Sequence, residues 1–182
     1  RGRGLGCYLE WTGSELNETV TITADSSVMI TLYSGTQPMG QGIATSYLQI
    51  FSEQLQIPVN QLKVVQGDTD LVEGHGSVGS RSLFVGGNAI LRGIEDFLEE
   101  CKQLAASELE ASVEDLEYHQ GDFQVKGTRV GIGIFDLCSR QSGNSISVKR
   151  KKELTGRSWP NGCHVAEVEI DAETGEVRLD RY

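Results

Sequence analysis

Residues 20–55, VTITADSSVMITLYSGTQPMGQGIATSYLQIFSEQL, change their hydrophobic period partway along, and that change sets the fold class. Val20, Ile22 and Ala24 alternate with threonines, Asp25-Ser26-Ser27 supplies turn chemistry, and Val28, Ile30 and Leu32 resume the alternation, which is the pattern of a β-hairpin. From Gly42 to Leu55 the apolar residues fall instead at Ala44, Tyr47, Leu48, Phe51 and Leu55, the spacing of an amphipathic helix. Ile57-Pro58 ends it, because the residue before proline avoids helical angles. Hairpin, glycine-rich connection and helix therefore follow one another within a single short stretch.

Outward from this stretch the same reading continues. Gly4–Trp11 is expected as a strand beside the hairpin, and Leu62–Val65 as a short strand. A long helix is expected from Ser82 or Phe84 to Ala111, with Ile90, Ile94, Phe97, Cys101, Leu104 and Ala105 on its buried side. Leu116–Tyr118 and Phe123–Lys126 read as a hairpin around Gly121, Ile134–Ser139 as a short helix, and the basic run Lys149-Arg150-Lys151-Lys152 as a solvated loop. His164, Ala166, Val168 and Ile170 alternate as a strand, Asp171–Gly175 turns the chain, and Glu176–Tyr182 returns. The class is α+β, a mixed β-sheet with two long helices packed on one face.

Composition narrows the function. With 16 Lys and Arg against 26 Asp and Glu, the net charge of −10 repels phosphate backbones, so nucleic acid is not an expected partner. No apolar run has the length of a membrane helix, so no membrane partner is expected either. No leader is visible at Arg1, the chain ends at Tyr182 inside an apparent strand, and it reads as a piece of a longer, cytoplasmic polypeptide. Cys7, Cys101, Cys138 and Cys163 lack metal or redox spacing and read as buried free thiols. His75, His119 and His164 form no ligand pattern, so no protein-ligated metal is expected.

Two glycine-rich segments, each before an expected helix, are the places where chemistry can sit. Gly35–Gly42 opens the helix of Tyr47 and Phe51. A helix start leaves unpaired N–H groups and a partial positive charge, Gly40 and Gly42 permit close backbone approach, and Gln41 offers a donor and an acceptor. It matches neither a P-loop nor a dinucleotide fingerprint. The second segment runs from Gly67 to Ser82, where Gly79, Ser80, Arg81 and Ser82 bring N–H groups, two hydroxyls and a guanidinium suited to a phosphate. Asp68 and Asp70 fit catalytic carboxylates, a cation site, or a turn in which they bond their own backbone.

Taken in order, Met39-Gly40-Gln41-Gly42 with Thr45, Gly67-Asp68-Thr69-Asp70, Gly79-Ser80-Arg81-Ser82 and Pro160–Asp171 resemble the molybdopterin-binding large subunit of the xanthine dehydrogenase/aldehyde oxidase/carbon monoxide dehydrogenase family. The resemblance covers residues 2–182 and implies that residues 1–182 form a single lobe of that subunit's cofactor-binding region. It implies a molybdenum–molybdopterin cofactor, in the cytosine dinucleotide form, with [2Fe–2S] clusters and FAD on partner subunits or domains. The implied reaction is hydroxylation of an aldehyde or N-heterocycle carbon, a small-molecule substrate, with oxygen from water. By motif, Gly40, Gln41 and Gly42 would contact the pterin or its phosphates. Gly79, Ser80, Arg81 and Ser82 would hold the pyrophosphate, while Gly67–Asp70 and Pro160–Asp171 would be structural.

The family's catalytic glutamate lies in a Gly-x-Gly-Glu context that does not occur here, so no catalytic residue is assigned and activity of this piece alone is not expected. The remainder of the large subunit is itself an expected partner. Two alternatives accompany this reading: a non-redox phosphate- or nucleotide-binding module, and a scaffold that has lost the cofactor.

Overall fold

The computed structural model describes residues 1–182 and divides the chain into two compact units, Gly13–Gly156 and a smaller one made of Arg1–Thr12 with Arg157–Tyr182. In chain order the strands are β1 (Gly2–Leu9), β2 (Asn17–Asp25), β3 (Met29–Ser34), β4 (Leu62–Gln66), β5 (Leu116–His119), β6 (Asp122–Val125), β7 (Gly131–Gly133), β8 (Ser145–Glu153), β9 (Asn161–Ile170) and β10 (Val177–Arg181). The helices are α1 (Ile43–Leu55), α2 (Gly87–Glu108) and α3 (Ile134–Arg140).

The larger unit is built on a mixed sheet of order β4-β3-β2-β8. β2 pairs antiparallel with β3 and with β8, while β3 and β4, joined through α1, run parallel. β2 alternates strictly, with Glu18, Val20, Ile22 and Ala24 buried and the intervening threonines on the other face. Against its buried face lie Tyr47, Phe51 and Leu55 of α1 and Ala89, Ile90, Phe97 and Cys101 of α2 in one core. The approach of α2 is close at Gly93, where a Cβ would stand 2.8 Å from the Val20 side chain. A three-stranded antiparallel sheet, β5-β6-β7, completes the unit.

The smaller unit is an antiparallel sheet of order β1-β9-β10. His164 stacks between Tyr8 and Tyr182, and the Arg157 guanidinium lies 4.1 Å above the Trp11 ring. Asp171 accepts from the Glu173 and Thr174 N–H groups at 2.9 and 2.8 Å, which closes the β9–β10 turn. Those backbone bonds hold its carboxyl below the usual range.

The α+β class, the β2–β3 and β9–β10 hairpins and both long helices match the sequence reading, with three expectations corrected. The β2–β3 hairpin is not flanked by Gly4–Trp11: that stretch pairs with β9, and β8 takes the free edge of β2. The basic run is therefore strand, not loop. Its charges conceal an alternation in which Ile146, Val148 and Arg150 face α2 and Lys149 and Lys151 face water, and Arg150 meets Asp96 of α2 at 2.9 Å. Of the four cysteines, Cys101 and Cys138 are buried thiols, but Cys7 and Cys163 are exposed. Burial pushes the Cys138 thiol up to about 11.

Candidate functional site

The chain leaves β3 at Ser34 and crosses the second glycine-rich segment immediately. Gly35 and Gly74 are in backbone contact: a Cβ on either would lie 2.5 Å from the other's Cα, so both positions require glycine. The Gly76 N–H donates to the Gly35 carbonyl at 3.2 Å. Ser77 then fastens the segments. Its hydroxyl accepts from the Gln37 N–H at 2.9 Å, donates to the Gln37 carbonyl at 2.7 Å and accepts from the Ser82 hydroxyl at 2.7 Å. One proton and two lone pairs are all in use.

Below this junction runs a buried polar chain. Tyr47 Oη donates to the Ser82 carbonyl, so at 3.0 Å the Thr36 hydroxyl donates to Tyr47 and, by the same logic, Ser34 donates to Thr36. Gln66 Nε2 donates to the Thr36 hydroxyl at 2.8 Å. Burial pushes the Tyr47 phenol up to about 12, so it keeps its proton and remains a donor. Gly86 closes against it, since a Cβ there would fall 2.1 Å from Tyr47 Oη. Ser82–Gly86 is a π-turn leading into α2, a distortion often found at functional positions.

Above the junction the two segments line one cleft of about 370 Å³, with Met39, Gln41, Ile43 and Ser46 on one side and Ser77–Ser80, Ser82 and Leu83 on the other. Gly40 and Gly42 have φ of 85° and 75°, and a Cβ on either would meet nothing within 4 Å. The side chain of Gln41 is turned onto its own loop, accepting from the Met39 N–H at 2.6 Å and donating to the Gln37 carbonyl at 3.0 Å. α1 begins at Ile43 with no side-chain cap and no acidic residue in its first turn. Its leading N–H groups thus keep their positive potential. Gly79 and Ser80 are consecutive left-handed residues, φ 58° and 56°. For a serine this conformation costs on the order of 1 kcal/mol.

Arg81 is placed differently from its neighbours. Its side chain is fully buried, with Nε on the Glu15 carbonyl at 3.2 Å, Nη1 on Glu18 Oε2 and the Gly76 carbonyl at 2.7 Å each, and Nη2 on the Asn17 carbonyl at 2.6 Å. The expectation of a guanidinium offered to a phosphate is corrected here: the charge is satisfied by Glu18 inside the protein, and the side chain ties the 76–81 loop to β2. Asp68 bonds the Asp70 N–H at 3.0 Å, the turn alternative among those open for it. Pro160–Asp171 contributes β9 and its turn.

The sequence reading did not single out Ser77, Thr36, Gln66 or Glu18, and it took Tyr47 only as a core residue. Of these only Glu18 carried a signal, an acidic side chain in the inward phase of β2.

A family model described as the molybdopterin cofactor-binding domain matches residues 1–182. Among curated proteins, the chain is 30% identical over its whole length to the 6-hydroxypseudooxynicotine dehydrogenase complex subunit gamma of Paenarthrobacter nicotinovorans, covering 24% of that protein. It is 31% identical over 81% of its length to the carbon monoxide dehydrogenase large chain of Hydrogenophaga pseudoflava, covering 20% of it. Among solved structures, quinoline 2-oxidoreductase from Pseudomonas putida 86 superposes with a TM-score of 0.78 at 25% identity, over 98% of this chain and 26% of that one. The chain thus spans about a quarter of the length of the proteins it matches.

Proposed function

This chain belongs to the molybdopterin cofactor-binding domain family, and from that premise we propose that the cleft between its two glycine-rich segments holds the phosphate-bearing part of a molybdenum–pterin cofactor within a larger molybdenum hydroxylase. The observation that supports this reading is the convergence of the two segments on one cleft, fastened by Ser77. The walls fit such a group. Gly40 and Gly42 leave open the space a side chain would fill, so a ligand can approach the backbone. The start of α1 borders the cleft through Ile43 and Ser46 and has no side-chain cap, which suits an anion there.

Gly40, Gly42 and the first N–H groups of α1 would hold phosphate oxygens, Gly79 and Ser80 would close the opposite wall, and Ser82 holds Ser77 in place. Gln41 fixes the shape of its loop. Arg81 is a positioning residue. Because Glu18 neutralises it, the anion is held by backbone dipoles and hydroxyls, not by a full positive charge.

When bound, the cofactor supplies a molybdenum centre that hydroxylates a carbon with oxygen from water and passes electrons onward. We place the accepting [2Fe–2S] clusters and FAD on partner subunits or domains, and the cofactor in its cytosine dinucleotide form. An N-heterocycle or an aldehyde is the substrate class, the former in keeping with a neighbour named for quinoline. No catalytic residue is assigned to this chain.

The test is elemental analysis for molybdenum, with pterin content, on the full-length protein from a host that makes the cofactor. One of each per molecule agrees with the proposal; neither would sink it.

A further inference from the structure

The pairing of β1 with β9 brings together two residues that the cofactor site does not use. Cys7 and Cys163 are directly opposite in an unbroken antiparallel register that runs from Gly2–Val168 to Leu9–Asn161. Just beyond the strand ends, the Glu10 N–H donates to the Pro160 carbonyl at 2.9 Å and the Thr12 N–H to the Ser158 carbonyl at 3.0 Å. These fix the phase of the ladder. Hydrogen-bonded and non-hydrogen-bonded pairs alternate along antiparallel strands, so Tyr8–Gly162 is a hydrogen-bonded pair and Cys7–Cys163 a non-hydrogen-bonded one.

That phase matters because side chains approach most closely at non-hydrogen-bonded positions. There the Cα atoms lie about 4.5 Å apart, inside the roughly 4.4–6.8 Å window that a disulfide spans. The Cys163 Sγ donates to the carbonyl of the neighbouring His164 at 3.9 Å, and the Cys7 side chain raises the Cys163 thiol above its ordinary value. Both are exposed, whereas Cys101 and Cys138 are not. Leu5 and Val165 on one side and Leu9 and Asn161 on the other are the neighbouring pairs of the same face, and none of them is charged.

We propose that Cys7 and Cys163 are a redox-responsive pair that closes into a reversible disulfide and staples β1 to β9. The oxidant is a low-molecular-weight disulfide such as oxidised glutathione. One cysteine, as thiolate, attacks a glutathione sulfur, forming a mixed disulfide and expelling one glutathione. The second cysteine attacks the protein sulfur of that mixed disulfide and expels the other. Two S–H bonds and one S–S bond break, one protein S–S bond and two glutathione S–H bonds form, and both electrons and both protons end on glutathione. An exposed bridge of this kind is of the labile, regulatory type.

The experiment treats the full-length protein with oxidised glutathione, alkylates remaining thiols and maps peptides by mass spectrometry. The expected product is a Cys7–Cys163 crosslink with no retained glutathione, reversed by dithiothreitol. Cys7→Ser and Cys163→Ser should each trap a glutathione adduct on the remaining cysteine. In the oxidised wild type, amides of β1 should exchange with solvent about ten-fold more slowly. The proposal is overturned if both cysteines stay alkylatable, if each retains its own glutathione, or if crosslinks form only between molecules.

Discussion

The guanidinium of Arg81 and the carboxylate of Glu18 meet at 2.7 Å with neither side chain exposed to solvent. The pair joins the loop before α2 to the buried face of β2, and Arg81 adds three backbone carbonyls to the same anchor. Removing one partner leaves the other charged, buried and unpaired, a loss of about 3–5 kcal/mol. Glu18→Ala and Arg81→Ala should therefore each lower the urea midpoint strongly. Their double variant should cost less than the two single losses together. Additive losses would mean that the pair is not a unit.

Gly86 sits where Tyr47 leaves no room for a methyl group, with 2.1 Å between Tyr47 Oη and an added Cβ. Gly86→Ala should destabilise by about 2 kcal/mol or more through overpacking. Tyr47→Phe removes the donor to the Ser82 carbonyl and should cost about 1–3 kcal/mol. In the Tyr47→Phe background the Gly86→Ala loss should shrink, because the clashing oxygen is gone. Denaturant melts of the four proteins give this coupling, and an undiminished loss would show that the steric conflict lies elsewhere.

Burial raises the Tyr47 phenol from 10.0 to about 12. Above pH 10 the unfolded chain gives up this proton while the folded protein keeps it, so rising pH favours unfolding. The stability carried by the buried neutral phenol is whole below pH 10 and is lost as pH climbs toward 12. Tyr118 is shifted in the same direction, again mainly by burial. Tyr47→Phe should accordingly flatten, without abolishing, the fall in stability between pH 10 and 12, as followed by circular dichroism.

Ser77 uses every hydrogen-bonding position of its hydroxyl to keep the two cleft walls together. Ser77→Ala should loosen the cleft more than the fold. The expected result is a stability loss of about 1–2 kcal/mol with a clear fall in molybdenum content of the full-length protein. Unchanged molybdenum would mean that the Ser77 fastening does not govern cofactor retention.

What the sequence made legible follows physical range. The period change within residues 20–55 and the apolar stripe of α2 are local signals, and they reported their elements. β8 was obscured because Lys149, Arg150 and Lys151 hide an alternation that only α2 and β2 explain. β1 was assigned the wrong neighbour because its glycines carry no facial pattern and its partner lies at the other end of the chain. At the cleft, both glycine-rich segments stood out singly, yet their contact through Gly35, Gly74 and Ser77 is tertiary. The inward turn of Arg81 depended on Glu18, 63 residues away, and no local pattern carries that information.

The central claim is that the walls around Ser80 face a phosphate-bearing ligand. Aspartate and asparagine both tolerate the left-handed backbone of this position, φ 56°, so Ser80→Asp and Ser80→Asn differ chiefly in charge. The decisive measurement is molybdenum and pterin content of these two variants of the full-length protein. The account predicts near wild-type occupancy for Ser80→Asn and about ten-fold less for Ser80→Asp, the equivalent of one unfavourable charge contact of about 1.4 kcal/mol. Equal occupancy in the two variants would contradict it.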